Sequence, residues 1–264
     1  MKNGFFTDWV PRYAPGNKRY YEKDPELDGR KLAGKYKVPS ATDLPNSRIL
    51  VDVGAAQGYF STKNHDKFDR IYCFEPCYPN FRKLARNIQE NSEFLNKIAF
   101  FNYAAGKPED SYNFIDFCFV PSLSPYGSSL YRDKTDKENK KAQKAHHRVP
   151  IISFEDILLL INEKKIDVLK CDTEGAEYDF LFGQDLSLVD ILVLETHRNI
   201  LGHKKMSDLI EFIVSQGFSE DLIPPSKKTR WAKNFRNNAL ERSVQEFTLY
   251  NTNNAEEIRK KWVI

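Results

Sequence analysis

Short apolar runs alternate along the chain with segments whose apolar residues recur at helical spacing. Ile49–Val53, Ile71–Phe74 and Ile98–Ala104 are continuous apolar runs, which are typical of strands buried on both faces of a parallel sheet. Tyr59–Lys67, between the first two runs, has a short helical pattern. After the second run, Pro79 opens a longer helical pattern. Strands that alternate with helices indicate βαβ units, right-handed crossovers and a mostly parallel sheet.

The alternation breaks over residues 107–148 and then resumes. Within the break, Tyr112–Val120 has the pattern of an aromatic strand, whereas the mixed charges of Arg132–Arg148 predict a solvated loop or a surface helix. Beyond the break, Phe218–Ile223 and Gln245–Tyr250 are predicted to pair as antiparallel strands. The other predicted elements there are a helix capped by Ser153 and running to about Lys164, a strand at Ile166–Lys170, a helix at Glu174–Phe182 with Gly183 as its C′ residue, a strand at Val189–Leu194 and a helix at Met206–Gln216.

Composition narrows the class of protein. Residues 1–47 are punctuated by prolines and lack a sustained period, which predicts an irregular arm before a domain spanning residues 48–264. Hydrophobic residues make up 41% of the chain, enough for a core, and the net charge of +3 is too small to indicate a nucleic-acid partner. The chain has no apolar run long enough to span a membrane and no signal-peptide pattern at its start, so we expect a cytoplasmic protein.

The cysteines and most of the histidines show no pattern of a metal or redox site. The four cysteines form no CxxC pair, and Cys73 and Cys171 lie inside apolar runs, where we expect small buried hydrophobic side chains. Apart from His197, the histidines have no evident partners. We therefore expect surface positions for His65, His146, His147 and His203.

The first predicted strand leads into a glycine turn with the pattern Asp52-x-Gly54-x-x-x-Gly58. Glycines let the backbone turn tightly and approach a ligand closely. The turn has neither the dinucleotide fingerprint G-x-G-x-x-G nor the phosphate loop G-x-x-x-x-G-K-[ST]. It suits a nucleoside with a charged amino-acid tail, such as S-adenosylmethionine (SAM), whose ammonium and sulfonium charges Asp52 would attract. The residues of this segment predicted to contact the cofactor are Asp52, Gly54, Ala55, Gln57, Gly58 and Tyr59.

Two further strand ends complete the predicted cofactor site. Glu75, followed by Pro76, comes about 20 residues after the turn, where an acid in such folds accepts hydrogen bonds from ribose hydroxyls. The alternative for Glu75 is an exposed carboxylate at a strand end. Asn102, Tyr103 and Ala104 follow the third strand and would lie beside the adenine, unless this segment is only a tight turn.

Several segments together resemble the FkbM-type methyltransferases, a SAM-dependent family with the class I Rossmann-like fold. The most specific is Lys-x-Asp-x-Glu-Gly-Ala-Glu at residues 170–177, and the resemblance covers residues 49–218. It implies an α/β fold with a mostly parallel seven-stranded sheet, helices on both faces and an antiparallel last strand. It also implies methyl transfer to hydroxyl oxygens, often of sugars, glycolipids or polyketide-like products, and it leaves residues 219–264 as a C-terminal extension. The other matching segments are residues 51–61, 74–76, 80–81, 87, 102–106, 127–130, 149–158 and 194–197.

Acidic residues and a histidine follow the fourth and fifth predicted strands, where the methyl group would be presented. An alcohol becomes a better nucleophile as its proton leaves, so a base near the acceptor helps methyl transfer. Asp172 is the predicted base or acceptor-positioning residue, and it also counts among the predicted cofactor contacts. Glu174, Glu195 and His197 are the other predicted catalytic residues, with His197 as a base near neutral pH. A helix dipole would also favour Glu174 and Glu177 at a helix start, which gives them a structural alternative.

The predicted substrate contacts are Lys170, Arg230 and Trp231. Lys170 lies inside a strand and would pair with a nearby acid. The segment around Trp231 mixes bases with aromatics, so its ring would stack on a sugar face if the segment overhangs the acceptor. The alternative for this segment is a solvated connector.

The sequence leaves more than one function open. Asp172, Glu195 and His197 have the donor groups to hold a divalent metal that polarises the acceptor hydroxyl. Basic stretches at 132–148 and 227–236 leave an RNA or DNA methyltransferase open, although acids at the acceptor side would repel phosphate. A third hypothesis is a module that binds SAM without catalysing methyl transfer, since fold does not fix function. We predict a SAM-dependent O-methyltransferase that acts on a carbohydrate, glycolipid or other hydroxylated small molecule.

Overall fold

The computed structural model describes residues 38–41, 48–119, 145–220, 239 and 244–263, and its largest element is a seven-stranded sheet. Four of the predicted strands lie at or within a residue of their predicted bounds, among them the continuous apolar runs at Ile49–Val53 and Ile71–Phe74, which can be buried on both faces. The strands in chain order are β1 (Ser40–Ala41), β2 (Ile49–Val53), β3 (Arg70–Phe74), β4 (Ile98–Phe101), β5 (Ala104–Ala105), β6 (Phe114–Phe119), β7 (Ala145–Ile152), β8 (Ile166–Cys171), β9 (Val189–His197), β10 (Phe218–Ser219), β11 (Val244–Asn251) and β12 (Trp262–Val263).

The strand order of the large sheet is β10-β11-β9-β8-β2-β3-β4. Strands β2, β3, β4, β8 and β9 pair in parallel, whereas β11 is antiparallel to both of its neighbours. This topology confirms the predicted mostly parallel sheet with an antiparallel last strand. From β2 the chain moves outward to β3 and β4 and then returns to β8 on the other side. The carboxyl ends of β2 and β8 therefore flank a topological switch point, where ligands of such sheets bind.

Helices cover both faces of this sheet, as predicted. They are α1 (Tyr59–Lys63), α2 (Tyr78–Gln89), α3 (Ser92–Leu95), α4 (Phe154–Ile161), α5 (Glu177–Leu181), α6 (Arg198–Ser215) and α7 (Ala255–Lys261). Alternate strand residues point to opposite faces. Leu50 and Ile71 pack with α1, α2 and α7, whereas Val51 and Leu169 pack with α4, α5 and α6. Across the described ranges, none of these helices is both long and apolar enough to cross a bilayer.

A smaller sheet of order β5-β7-β6 interrupts the alternation. The predicted loop or surface helix is wrong for Ala145–Arg148, which begin β7 and pair with β6 in antiparallel register. The predicted surface position is also wrong for His147, whose ring is buried with Nε2 2.6 Å from the Pro76 carbonyl oxygen. A strand with one solvated face contains polar residues. Here they masked the alternation of buried His147 with exposed Arg148, so the sequence did not indicate a strand.

Several element boundaries differ from the predicted ones, and two of these differences concern the predicted catalytic residues. The helix predicted at Glu174–Phe182 is reduced to α5, because Glu174 (φ 52°) and Gly175 (φ 108°) have positive φ angles that a right-handed helix excludes. The fifth strand is longer than predicted, so Glu195 and His197 lie inside β9 and do not follow it.

The predicted amino-terminal arm is described only at residues 38–41. Ser40–Ala41 pairs with β12 in antiparallel register, a pairing that the aperiodic sequence did not indicate. The predictions for residues 1–37 and 42–47, for the matching segment 127–130, and for Arg230 and Trp231 lie outside the described residues.

Candidate active site

The turn after β2 has two glycines in the left-handed conformation, Gly54 (φ 78°) and Gly58 (φ 81°). A side chain at Gly54 has no room, because a Cβ atom there would lie 1.8 Å from the carbonyl oxygen of Asp172. The backbone N–H groups of Gly54 and Ala55 both donate to the carbonyl oxygen of Phe74, at 2.9 and 3.0 Å. The turn is thus fixed between the ends of β3 and β8, at the switch point.

A buried ion pair lies beside this turn. Lys170 Nζ is 3.0 Å from Asp52 Oδ1 and donates to the Gly54 carbonyl oxygen at 3.0 Å. Ser61 Oγ donates to Oδ2 of Asp52 at 2.7 Å. Burial alone would lower the pKa of Lys170, but the carboxylates of Asp52 and Asp172 outweigh it and raise the pKa above its usual value. Asp52 is therefore bound to other residues of the protein by an ion pair and a hydrogen bond. Its contact with the cofactor stays a prediction.

Glu75 directly follows β3 and is held by the backbone. The N–H of Ala56 donates to Oε2 at 2.7 Å, and the N–H of Cys77 donates to Oε1 at 2.8 Å. Asn102 Nδ2 donates to the carbonyl oxygens of Glu75 and Pro76, at 2.7 and 3.1 Å. Burial raises the pKa of Glu75 to about 7, although the backbone hydrogen bonds act in the opposite direction. The predicted ribose acceptor is therefore held in one orientation beside the glycine turn.

The other residues predicted to contact the cofactor lie around the same edge. Gln57 is buried, and its carbonyl oxygen accepts a hydrogen bond from Asn87 Nδ2 at 2.9 Å. Tyr59 begins α1 and is partly exposed. Tyr103 packs against the core, and Ala104 begins β5. The fold thus brings the predicted turn and the ends of the second and third strands to one edge of the sheet.

Polar side chains line the same edge on β8 and β9. Lys170 is in register with Val193, so Asp172, one residue beyond β8, lies next to Glu195 on the neighbouring strand. Side chains two residues apart on a strand share a face, which places Glu195 and His197 together. Ligand-type atoms of Asp172, Glu195 and His197 lie within 4.8 Å of one another. Three of the four predicted catalytic residues therefore meet at this edge.

His197 is held by a buried carboxylate. Its Nδ1 lies 2.6 Å from Glu177 Oε1, and its Nε2 lies 3.5 Å from Glu174 Oε2. The same oxygen of Glu177 accepts hydrogen bonds from the backbone N–H groups of Gly175 and Thr173, at 3.0 and 3.3 Å. Burial alone would lower the pKa of His197, but the surrounding carboxylates, led by Glu177, raise it to about 9. A ring protonated at neutral pH accepts no further proton, so this geometry favours a role other than the predicted base.

Glu174, the fourth predicted catalytic residue, reaches the edge from the turn that replaces the predicted helix start. Its left-handed backbone is uncommon for a residue other than glycine, and such conformations cluster at functional sites. Burial raises the pKa of Glu174 to about 7, with Asp172 and Glu195 acting in the same direction and His197 lowering it. Several carboxylates thus surround one imidazole at this edge.

The sequence profile of the Methyltransferase FkbM domain matches residues 52–220, which is more than half of the chain and includes the whole edge just described. The chain belongs to the FkbM methyltransferase family. As an FkbM methyltransferase it takes its methyl group from SAM. This family and the observed topology agree with the fold expected from the resemblance.

The chain is also similar to one named relative and to solved structures. Methyltransferase 1 of Beauveria bassiana (strain ARSEF 2860) is 29% identical over 207 residues, which cover 70% of this chain and 80% of the relative. The solved methyltransferase FkbM from Methylobacillus flagellatus KT is 19% identical with a TM-score of 0.41, and the match covers 70% of this chain but only 44% of that one. TrmK of M. capricolum, solved with S-adenosylhomocysteine, is 11% identical with a TM-score of 0.39, over 85% of this chain and 68% of that one.

Some contacts in this FkbM methyltransferase were not predicted from its sequence. The hydrogen bond of Ser61 to the buried acid and the pairing of Glu177 with His197 are tertiary contacts, which no local pattern specifies. Strand periodicity would have placed Glu195 and His197 on one face had β9 been predicted at its full length. The expectation for Cys73 and Cys171 is confirmed, since both thiols are fully buried.

Proposed function

We propose that this FkbM methyltransferase transfers the methyl group of SAM to a hydroxyl oxygen of a carbohydrate or glycoconjugate. The observation that carries the proposal is the convergence of Asp172, Glu174 and Glu195 at the carboxyl edge that the glycine turn also borders. Carboxylates accept hydrogen bonds from hydroxyl groups and repel phosphate. This edge therefore favours a neutral, hydroxyl-rich acceptor over a nucleic acid.

The contacts at the edge support one orientation of SAM. We place the methionine end at Gly54–Gly58, the ribose at Glu75 and the adenine beside Asn102–Ala104. Each carboxylate oxygen of Glu75 accepts one backbone hydrogen bond, and the Asn80 side chain donates to the same carboxylate. The ribose hydroxyls would use the remaining acceptor capacity. Gly54 packs directly against the backbone of Asp172, so this orientation directs the methyl group toward the acidic side chains.

In the proposed reaction, the acceptor oxygen attacks the methyl carbon in line with the C–S bond. The C–O bond forms as the C–S bond breaks, and its electron pair stays on sulfur, so the sulfonium becomes the neutral thioether of S-adenosylhomocysteine. The hydroxyl proton passes to a carboxylate. We assign this role to Asp172, because its side chain is partly exposed, whereas that of Glu195 is buried. Holding donor and acceptor in line supplies much of the remaining rate enhancement.

The function is tested by incubating the protein with methyl-labelled SAM and fractions of a host-cell extract. We expect label in a carbohydrate-containing fraction, and removal of that label by glycosidase but not by nuclease or protease. Replacing Asp172 by asparagine removes the proposed proton acceptor, so the rate of labelling should fall about 100-fold or more.

Asp185→Asn is the matched control, because this exposed acid precedes β9 and therefore lies at the opposite edge of the sheet. It should label at the wild-type rate. Nuclease-sensitive label, or equal rates for the Asp172→Asn and wild-type proteins, would contradict the proposal.

The pKa of Glu75 predicts how SAM binding depends on pH. A carboxyl group with a pKa of about 7 is mostly protonated at pH 6 and mostly ionised at pH 8. The ionised form accepts the ribose hydrogen bonds, so SAM affinity should rise about tenfold between these pH values, measured by calorimetry. Glu75→Gln has no such titration, and its weaker SAM binding should show no rise from this group. An equal rise in the variant would exclude Glu75 as its source.

A further inference from the structure

We propose that Asp172, Glu195 and His197 bind a divalent metal cation, on which the acceptor hydroxyl is held. This inference rests on the proposed function, because the cation would lie where the acceptor binds. The binding of the cation itself needs neither SAM nor an acceptor, so the two proposals can fail separately.

The strand geometry converges on a position for one ion. Asp172 lies beyond β8, next to Glu195 on β9, and His197 shares a strand face with Glu195. One ligand atom from each residue lies within 4.8 Å of the others. Around a cation about 2.1 Å from each ligand atom, three ligand atoms lie about 3.0–3.6 Å from one another. Side-chain shifts of about 1 Å would therefore close the three groups around one ion.

The orientation of His197 is that of a metal ligand with an outer carboxylate. Its Nδ1 is 2.6 Å from Glu177 Oε1, and Glu177 is fully buried and fixed by two backbone N–H groups. With the Nδ1 proton donated to Glu177, Nε2 faces the acidic side chains, and a bound cation would replace the proton on Nε2. Histidines that bind metals nearly always donate their other ring N–H in this way, which fixes both the tautomer and the direction of the ring.

The charges at the edge also favour a cation. Asp172, Glu195 and Glu174 all lie around the His197 imidazole, with Glu174 Oε2 3.5 Å from its Nε2. The Nζ atom of Lys170 is closer to Asp52 Oδ1 (3.0 Å) than to Asp172 Oδ2 (3.8 Å). A divalent cation would offset the remaining repulsion among the carboxylates.

The donor set indicates the kind of ion. Two carboxylates and one imidazole suit Mn²⁺, Fe²⁺ or Zn²⁺, whereas Ca²⁺ prefers oxygen ligands alone. A thiolate site for a softer ion is excluded for Cys171, which packs in the core on the other face of the sheet. Three protein ligands leave coordination positions open. Adjacent hydroxyls of a carbohydrate would fill two of them, and the cation would acidify the oxygen that is methylated.

Titration of the full-length protein with Mn²⁺, followed by electron paramagnetic resonance in the absence of SAM and acceptor, tests this site. We expect one Mn²⁺ per chain, displaced by Zn²⁺. Asp172→Asn, at a partly exposed position, should weaken binding about 10-fold to 100-fold, and Glu177→Gln, which removes only the outer carboxylate, should weaken it within the same range. Asp185→Asn should bind as the wild type does. Thermal unfolding shows which variants are folded, and only those are compared.

The metal site is wrong if the wild-type protein binds neither Mn²⁺ nor Zn²⁺, or if folded Asp172→Asn and Glu177→Gln proteins bind the ions as tightly as the wild type. Full methyl transfer to a glycan in the presence of EDTA would overturn the metal role and leave the proposed function intact. One tightly bound Mn²⁺ with no label on any glycan would support the metal site and overturn the proposed function.

Discussion

Replacing Lys170 by methionine should lower the free energy of unfolding by about 3–5 kcal/mol, because it leaves the charge of Asp52 buried without its cation. Asp52 is fully buried and Lys170 is only 3% exposed, so water replaces neither partner. Methionine keeps most of the volume of the lysine side chain and isolates the loss of charge. Urea denaturation of the two proteins measures the difference.

Lys260→Met is the matched control. Lys260 also pairs with a carboxylate, Glu256 at 3.0 Å, but 63% of the Lys260 side chain and 88% of the Glu256 side chain are exposed. Its loss should therefore cost no more than about 1 kcal/mol. Combining Lys170→Met with Asp52→Asn removes both buried charges and should restore part of the lost stability. Equal losses for the two lysine variants would show that the buried pair contributes no more than a surface pair.

Replacing Gly54 by alanine should abolish SAM binding and destabilise the protein strongly. The positive φ alone costs a residue with a side chain about 1–2 kcal/mol. The added Cβ would also lie 1.8 Å from the carbonyl oxygen of Asp172, a backbone atom within the sheet edge that cannot rotate away. Such overpacking costs typically about 1–3 kcal/mol and more when backbone must move. Calorimetry with SAM and urea denaturation measure the two effects.

Gly183→Ala separates backbone strain from steric overlap. Gly183 has nearly the same φ, 83°, but a Cβ atom there would meet nothing within 4 Å. It should therefore lose only the conformational part, about 1–2 kcal/mol, and bind SAM normally. If Gly54→Ala were no worse than Gly183→Ala, the turn would not be fixed against β8 as described.

The strands and the glycine turn were predictable because local pattern alone specifies them. A run such as Ile49–Val53 can be buried on both faces, and the spacing of Gly54 and Gly58 fits a close backbone approach. The small sheet was not predictable in this way, since β7 has one solvated face and its first half contains two histidines and an arginine. The helix predicted from Glu174 was wrong because a left-handed turn, fixed by tertiary contacts, overrides a pattern that reads as helical.

The partners of the polar residues were harder to predict than their positions. Asp172, Glu195 and His197 were expected at the acceptor side, because the carboxyl ends of parallel strands meet at one edge. The partner of Lys170 was expected among the acids that follow it, yet its shortest contact with a carboxylate is to Asp52, 118 residues earlier in the chain. Sequence specifies which residues are charged, but only the packed sheet determines which charges are buried together.

The pairing of β11 with β9 makes the site depend on the end of the chain. In antiparallel register, Glu246 pairs with Glu195 and Val244 pairs with His197, although residues 244–251 lie beyond the stretch that matches the family profile. During synthesis, β9 would remain an unprotected edge until β11 has been made, and such edges recruit strands from other molecules. A fragment cut at the family boundary would contain every proposed site residue and still lack the strand that holds two of them in place.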